Sequence, residues 1–166
     1  MRFNAGTLPM LSLFLRNLFF TVIHPGLLAG LIPYWILGEQ FKTPFTQDFQ
    51  FYHYAGILLF TIGLVILFSC IIRFAVKGRG TLSPIDPTRR LVISGLYKYS
   101  RNPMYVGVMF ILTGEAIFFR LGSLWWYALA VFIGFNLFIL LHEEPRLRKD
   151  FGEEYKKYCQ KVRRWI

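Results

Sequence analysis

Three stretches of this 166-residue chain carry no Asp, Glu, Lys or Arg for more than twenty residues: 17–38, 49–72 and 121–141. A helix needs about 20 mostly apolar residues to cross the hydrocarbon core of a bilayer. In lipid, every backbone N–H and C=O must find its partner inside the spanning element, so such runs are restricted to helices. A fourth apolar stretch, 102–119, contains a single acid, Glu115. It is the weakest of the four, and it counts as a crossing chiefly because its neighbours require a return passage. The first stretch holds Pro25 and Pro33. Its helix should be kinked, because proline lacks an N–H and clashes with the turn before it.

Composition agrees. Hydrophobic residues make up 55% of the chain and charged residues 17%, which excludes a disordered chain and departs from the surface needs of an ordinary soluble domain. The expected fold is all-α: a polytopic membrane helix bundle of about four transmembrane spans, followed by an amphipathic cytoplasmic helix. Residues 1–166 then form a single integral-membrane domain, with a cytoplasmic loop at 73–101 and a cytoplasmic tail at 142–166. A cleaved signal peptide is not expected, since Arg16 splits the N-terminal apolar region and no small-residue cleavage site follows it.

Charge sets the orientation. The net charge is +10, but it is concentrated in two places. The 73–101 segment has seven Lys and Arg against Asp86 alone, and the tail from His142 onward has eight more. The connections near residues 39–50 and at Arg120 carry almost none. Basic loops stay on the cytoplasmic side, so both basic regions and both termini are expected there. Topology therefore accounts for the positive charge, and nucleic acid is not an expected partner.

Metal and disulfide chemistry are not indicated. Cys70 falls inside the second span and Cys159 in the tail, with no Cys/His spacing that suggests a metal site. His24, His53 and His142 are far apart in sequence and read as interfacial or packed residues. Gly78-Arg79-Gly80 is a turn, too short for a dinucleotide fingerprint.

The informative part is 95–107. Asn102 is a good N-cap and Pro103 suits the first helical turn, so the third span should start at the membrane surface with its N–H groups facing the cytoplasm. Such a start favours anions, and Arg101 adds a fork suited to a carboxylate or phosphate. The bland alternative is an interfacial anchor, with Tyr97, Tyr99 and Tyr105 as an aromatic belt and Lys98 and Arg101 touching headgroups. At the exit of the last span stand Glu143 and Glu144, followed by Pro145. They could open the next helix, or face the basic loop and bind the cationic part of a ligand. An anion-favouring helix start opposite carboxylates suits a zwitterion such as an amino acid. Beyond them, Leu147, Phe151, Tyr155, Tyr158, Val162 and Trp165 form one helical face, with Gly152 as a weak spot. That helix should lie on the membrane or cap the bundle, and packing explains its stripe without a cofactor role.

Gly95-Leu96-Tyr97, then Arg101-Asn102-Pro103-Met104-Tyr105-Val106-Gly107, then Glu143-Glu144 with Leu147, then Phe151-Gly152-Glu153-Glu154-Tyr155 with Tyr158, resemble the isoprenylcysteine carboxyl methyltransferase family, a wider group that includes phospholipid N-methyltransferases. The match covers about residues 88–166. It implies an integral-membrane enzyme that uses S-adenosylmethionine and takes a lipidic acceptor from the bilayer, in a bacterial cytoplasmic membrane. Carried onto this chain, the resemblance puts cofactor contacts at Leu91, Val92, Tyr97, Asn102, Pro103, Met104, Tyr105 and Glu143. Arg101 and Glu144 join them from the reading of the residues, and no catalytic residue is assigned.

Two positions depart from that pattern. Asn102 stands where His is common, and Asn can still cap and donate. Ile139 stands about one turn before the carboxylates, where prenylcysteine enzymes carry an Arg for the substrate's carboxyl group. A lipidic acceptor other than a prenylcysteine therefore stays open. Two other classes also remain. Membrane sterol reductases resemble the Arg-x-Pro-x-Tyr-x-Gly region and use NADPH, but place an acid where this chain has Val108. A non-catalytic membrane scaffold could keep the same fold. Glu115 lies nearer the outer end of its helix, suited equally to helix pairing and to an acceptor channel.

Overall fold

The computed structural model describes residues 23, 25–46, 48–77 and 91–166, with side chains from 74 to 77 left aside. Among them every regular element is helical, and the extended backbone contributes one isolated parallel bridge, Ser100 to Arg163. Residues 17–22 at the start of the first apolar stretch, His24 and the Gly78-Arg79-Gly80 turn lie outside these residues.

What is described of the first stretch is bent, as its prolines require. A π-helical turn spans Leu27–Leu31, with Ala29 out of helical geometry at φ −110° and ψ 18°. Helix α1, Ile32–Leu37, continues from that turn with Pro33 as its second residue, four residues after the distorted Ala29, whose carbonyl a proline cannot pair. A 3-10 helix, Gly38–Thr46, then fills the connection.

Helix α2, Phe51–Lys77, is the longest apolar helix. Its start is fixed by a reciprocal pair: the Gln50 N–H donates to Nδ1 of His53 at 2.8 Å, and the His53 N–H donates to the Gln50 carbonyl at 2.9 Å. This is capping-box geometry with an imidazole in the usual place of Glu. His53 is buried, and its ring stacks on Phe49, so it is a packed residue as its isolation in sequence suggested. The helix continues past Arg73, because a charge ends the lipid-compatible stretch without ending the hydrogen-bond ladder. Phe51, Leu58, Val65, Phe68 and Ile72 point outward and exposed, while His53, Gly56, Gly63, Leu67 and Cys70 form the buried face.

That face meets helix α3, Pro103–Phe119, at backbone contact. A Cβ placed on Gly56 would lie 2.8 Å from the Gly114 carbonyl oxygen, and one on Gly63 would lie 2.6 Å from that of Gly107. Seven residues are almost two helical turns, so each helix brings its two glycines to one face. The antiparallel pairing, 56 with 114 and 63 with 107, lets the backbones touch. In lipid, association depends on such packing, because apolar burial gives no driving force there.

Helix α4, Gly122–Phe138, returns along α3 through Leu124, Ala128 and Val131. The turn between them has Arg120 in the left-handed region at φ 51°, its guanidinium 4.8 Å from the Tyr52 ring centroid. Trp126, Leu129, Ile133 and Leu137 are exposed apolar side chains on its outer surface.

At the exit of α4 the structure departs from the sequence expectation. No break separates the last span from the tail helix. A π-helical turn, Ile139–Glu143, joins α4 directly to α5, Glu144–Lys161. The Glu144 N–H bonds to the Ile139 carbonyl, the five-residue step of a π turn. Pro145 sits in the first turn after this change of pitch, where it tolerates helix continuation. The interruption comes instead at Gly152, at φ 48° and ψ −122°. Tyr155, Tyr158 and Val162 are buried with Leu91, Leu147, Phe151 and Cys159. Of the two placements open to this helix, the contacts are those of a cap on the loop that leads into α3.

Among the described residues, two helices are long and apolar enough to cross a membrane: α2 over Phe51–Arg73, and the merged run Gly122–Lys161. Helix α3, 17 residues, is apolar but shorter, about 26 Å at 1.5 Å per residue.

Candidate functional site

The loop into α3 is shaped from its first residues. Gly95 takes φ 66°, and a Cβ there would run into the Arg73 guanidinium, so only glycine lets the chain turn against the end of α2. The 3-10 turn Gly95–Lys98 then buries Tyr97, which packs with Val92 and Cys70, with Met104 against them. Its carbonyl accepts a 2.6 Å hydrogen bond from the Tyr158 hydroxyl. Burial pushes the Tyr97 hydroxyl well above the usual tyrosine value, so it stays protonated.

Asn102 precedes α3 as expected, but not as a side-chain cap. No capping hydrogen bond forms; its amide Nδ2 donates to the Arg164 carbonyl at 3.0 Å, and its backbone N–H donates to Ser100 Oγ. The reason lies in the backbone, which at φ −128° and ψ 50° is outside the usual cap conformation. Pro103 occupies the first turn. One turn further, the Tyr105 hydroxyl donates to Glu143 Oε2 at 2.9 Å, and its ring lies 4.6 Å from that of Phe135. The start of α3 and the exit of α4 therefore meet at one end of the bundle.

The two adjacent carboxylates have different surroundings. Glu144 is buried and held by arginines: Arg164 Nε at 2.8 Å and Nη2 at 3.2 Å, and Arg101 Nη1 at 3.2 Å, with Arg148 at 3.9 Å. Burial alone would raise its carboxyl, but the Arg164 hydrogen bonds and the charges of Arg101, Arg164 and Arg148 hold it below the usual carboxylate value. Glu143 receives the Tyr105 hydroxyl. Burial pushes its carboxyl up, the Tyr105 hydrogen bond and the charge of Arg146 pull it down, and Glu144 adds to the rise; the balance is upward. Glu144 is thus a fixed anion within an ion cluster, and Glu143 a carboxyl that a nearby cation would ionise.

The sequence-derived site residues divide accordingly. Tyr105 and Glu143 are joined directly, and Arg101 with Glu144. Val92, Tyr97 and Met104 pack in one cluster, whereas Leu91 lies in another with the α5 stripe. The Arg101 guanidinium, expected as a fork for a ligand anion, is engaged by Glu144 and by Cys159 Sγ at 2.9 Å. Ile139, at the position of the absent Arg, is buried at 1% exposure. Sequence reasoning missed Ser100, Asn136 and Arg164 altogether. It also missed the four interface glycines, whose signal was a matched pair of seven-residue spacings in two apolar helices.

An apolar helical bundle with a tyrosine–carboxylate pair at one end is consistent with a membrane methyltransferase. The phospholipid methyltransferase family model matches residues 51–154, which runs from the first residue of α2 into α5. The chain belongs to this family, and membership implies methyltransferase activity in general. An uncharacterized protein of Haemophilus influenzae is 39% identical to it over 64 residues, which is 38% of this chain and 100% of that protein. No solved structure matches it.

Proposed function

We propose that this chain is a multi-pass membrane enzyme that uses S-adenosylmethionine to methylate a lipidic acceptor, with the cofactor site between the start of α3 and the exit of α4. The observation that carries this reading is the Tyr105–Glu143 pair, which joins those two elements beside the arginine-held Glu144. The donor set fits the cofactor's amino-acid end. Glu143, whose carboxyl desolvation raises despite the charge of Arg146, gains a further counter-charge from a primary ammonium. The first-turn N–H groups of α3 have no intrahelical acceptor and suit a carboxylate. Buried Tyr97 and half-buried Tyr105 offer flat surfaces to an adenine.

When bound, S-adenosylmethionine supplies a methyl group on a sulfonium, open to in-line displacement. The protein's part is alignment and exclusion of water. Tyr105 orients the Glu143 carboxylate by hydrogen bonding, and Glu144, already neutralised by Arg101 and Arg164, holds the adjacent backbone in place. With Ile139 buried where a cation would bind a substrate carboxylate, the acceptor is not selected through a carboxyl group there. In this reading four crossings place both basic regions and both termini in the cytoplasm. The outward apolar side chains of α2 and α4 then face lipid, and the acceptor arrives laterally.

Titration of the purified full-length protein in lipid nanodiscs with S-adenosylmethionine, and separately with NADPH, tests the reading. Saturable binding of S-adenosylmethionine alone is expected. Binding of NADPH alone would replace it with a reductase, and binding of neither would favour a non-catalytic scaffold.

A further inference from the structure

After α5 the chain turns extended at Val162, φ −127° and ψ 131°, and runs beside the loop into α3. The next three residues tie together three elements that are separate in sequence. The Arg163 carbonyl accepts the Arg101 N–H at 2.9 Å. The Arg164 carbonyl accepts Asn102 Nδ2 at 3.0 Å and Ser100 Oγ at 3.3 Å. The Arg164 guanidinium forks onto both oxygens of Glu144 at 2.8 and 3.2 Å. Trp165 Nε1 donates to Asn136 Oδ1 at 3.2 Å, and its ring lies 5.1 Å from Phe132 on α4.

We propose that Arg164 and Trp165 are positioning residues of the methyl-transfer site, forming a clasp that fixes how the exit of α4 is rotated toward the start of α3. Glu143 and Glu144 are consecutive on a helix, so their side chains point about 100° apart. Holding Glu144 on the Arg164 fork therefore sets the direction of Glu143, which must face Tyr105. The same arginine's carbonyl holds Asn102, three residues before Tyr105. One residue thus fixes both halves of the Tyr105–Glu143 pair, while Trp165 pins the arrangement to α4. A planar fork holds both carboxylate oxygens in one orientation, whereas the point charge of a lysine attracts the group without fixing its plane.

The inference rests on the methyltransferase reading above, and its test separates the two. Full-length protein in nanodiscs is compared with Arg164→Gln, Arg164→Lys and Trp165→Phe by S-adenosylmethionine affinity, by single-turnover methyl transfer and by amide exchange over residues 101–106. Arg164→Gln is expected to lower kcat/KM by about 10- to 100-fold, the scale of a small misplacement of reacting groups, chiefly through weaker cofactor binding. Arg164→Lys should recover part of that loss. Trp165→Phe, which keeps the ring and loses the hydrogen bond to Asn136, should cost about fivefold. Faster exchange at Arg101, bonded to the Arg163 carbonyl, and at Val106, bonded to the Asn102 carbonyl, should accompany each loss.

Binding and turnover equal to wild type in Arg164→Gln would overturn the clasp, as would a lysine variant no better than glutamine. If Arg164→Gln fails to fold, Arg164→Lys and Trp165→Phe carry the same test. If wild-type protein binds no S-adenosylmethionine, the methyltransferase reading falls. The clasp then stands or falls on exchange alone: faster at Arg101 and Val106 in the variants supports it, and unchanged exchange overturns it.

Discussion

The Tyr105 hydroxyl donates to Glu143 Oε2 at 2.9 Å across 38 residues of chain, joining the first turn of α3 to the last turn before α5. Glu144, one residue on, is committed to Arg101 and Arg164. The two adjacent acids therefore have different partners: Glu144 the arginines, Glu143 the Tyr105 hydroxyl.

Substitution separates those roles. Glu143→Ala is expected to abolish S-adenosylmethionine binding while the protein still folds and inserts, measured by calorimetry beside a thermal melt. Tyr105→Phe removes only a hydrogen bond to a charged acceptor, about 1.5–3 kcal/mol, and should weaken binding by roughly one to two orders of magnitude. Normal affinity in Glu143→Ala would show that the ammonium is held elsewhere.

Glu144→Gln should behave differently. It leaves the half-buried Arg101 and Arg164 guanidinium groups without their counter-ion, a loss of roughly 1–3 kcal/mol, below the figure for a fully buried pair. Denaturant unfolding in detergent would register it as a lower midpoint, and S-adenosylmethionine affinity of the folded protein should fall as in Arg164→Gln, because the same ion pair is broken. A midpoint equal to wild type would mean that the arginines find other partners.

The pH dependence of the two acids has opposite sign. Glu143 holds its proton more tightly than an ordinary carboxyl, and only its ionised form can pair with an ammonium. Cofactor affinity should thus be full well above the raised value and fall as pH drops through it, beginning above the ordinary glutamate range near 4.3. For stability, ionising Glu143 is a cost that grows as pH rises through its folded value. Glu144, held below its ordinary value, contributes stability above the unfolded pKa that is lost as pH falls through the folded one. Binding isotherms and melts across pH check both signs. Affinity that rises toward acid would contradict the Glu143 assignment.

The glycine contacts offer a test remote from the chemistry. A Cβ at residue 63 would lie 2.6 Å from the Gly107 carbonyl oxygen and 2.7 Å from the Ile111 N, neither of which can swing aside. Gly63→Ala should push α2 from α3 and cost about 1–3 kcal/mol, the usual range for overpacking. Gly122→Ala, which meets nothing within 4 Å, serves as the control. Equal melting of the two variants would contradict the close approach.

Runs with one charge or none mark the described apolar helices closely, because desolvating a charge in lipid is costly enough to thin charges out of such a segment. The third helix was expected at 102–119 and lies at Pro103–Phe119; the second was expected at 49–72 and continues to Lys77. Junctions were harder to read. Pro145 suggested a break between span and tail, but the π turn before it lets the helix run on. Asn102 has the composition of a cap, yet its side chain serves the Arg164 carbonyl, a long-range contact with no local signature. Tyr105 and Glu143 were legible as members of motifs, while the division of labour between Glu143 and Glu144 depends on which of them faces the arginines.

The most direct test of the account is incubation of the full-length protein with methyl-labelled S-adenosylmethionine and a total lipid extract, followed by identification of the labelled product. The expected result is label in a lipid fraction with wild-type protein and none with Glu143→Ala. Absence of labelled lipid with folded wild-type protein, or equal labelling by the variant, would contradict it.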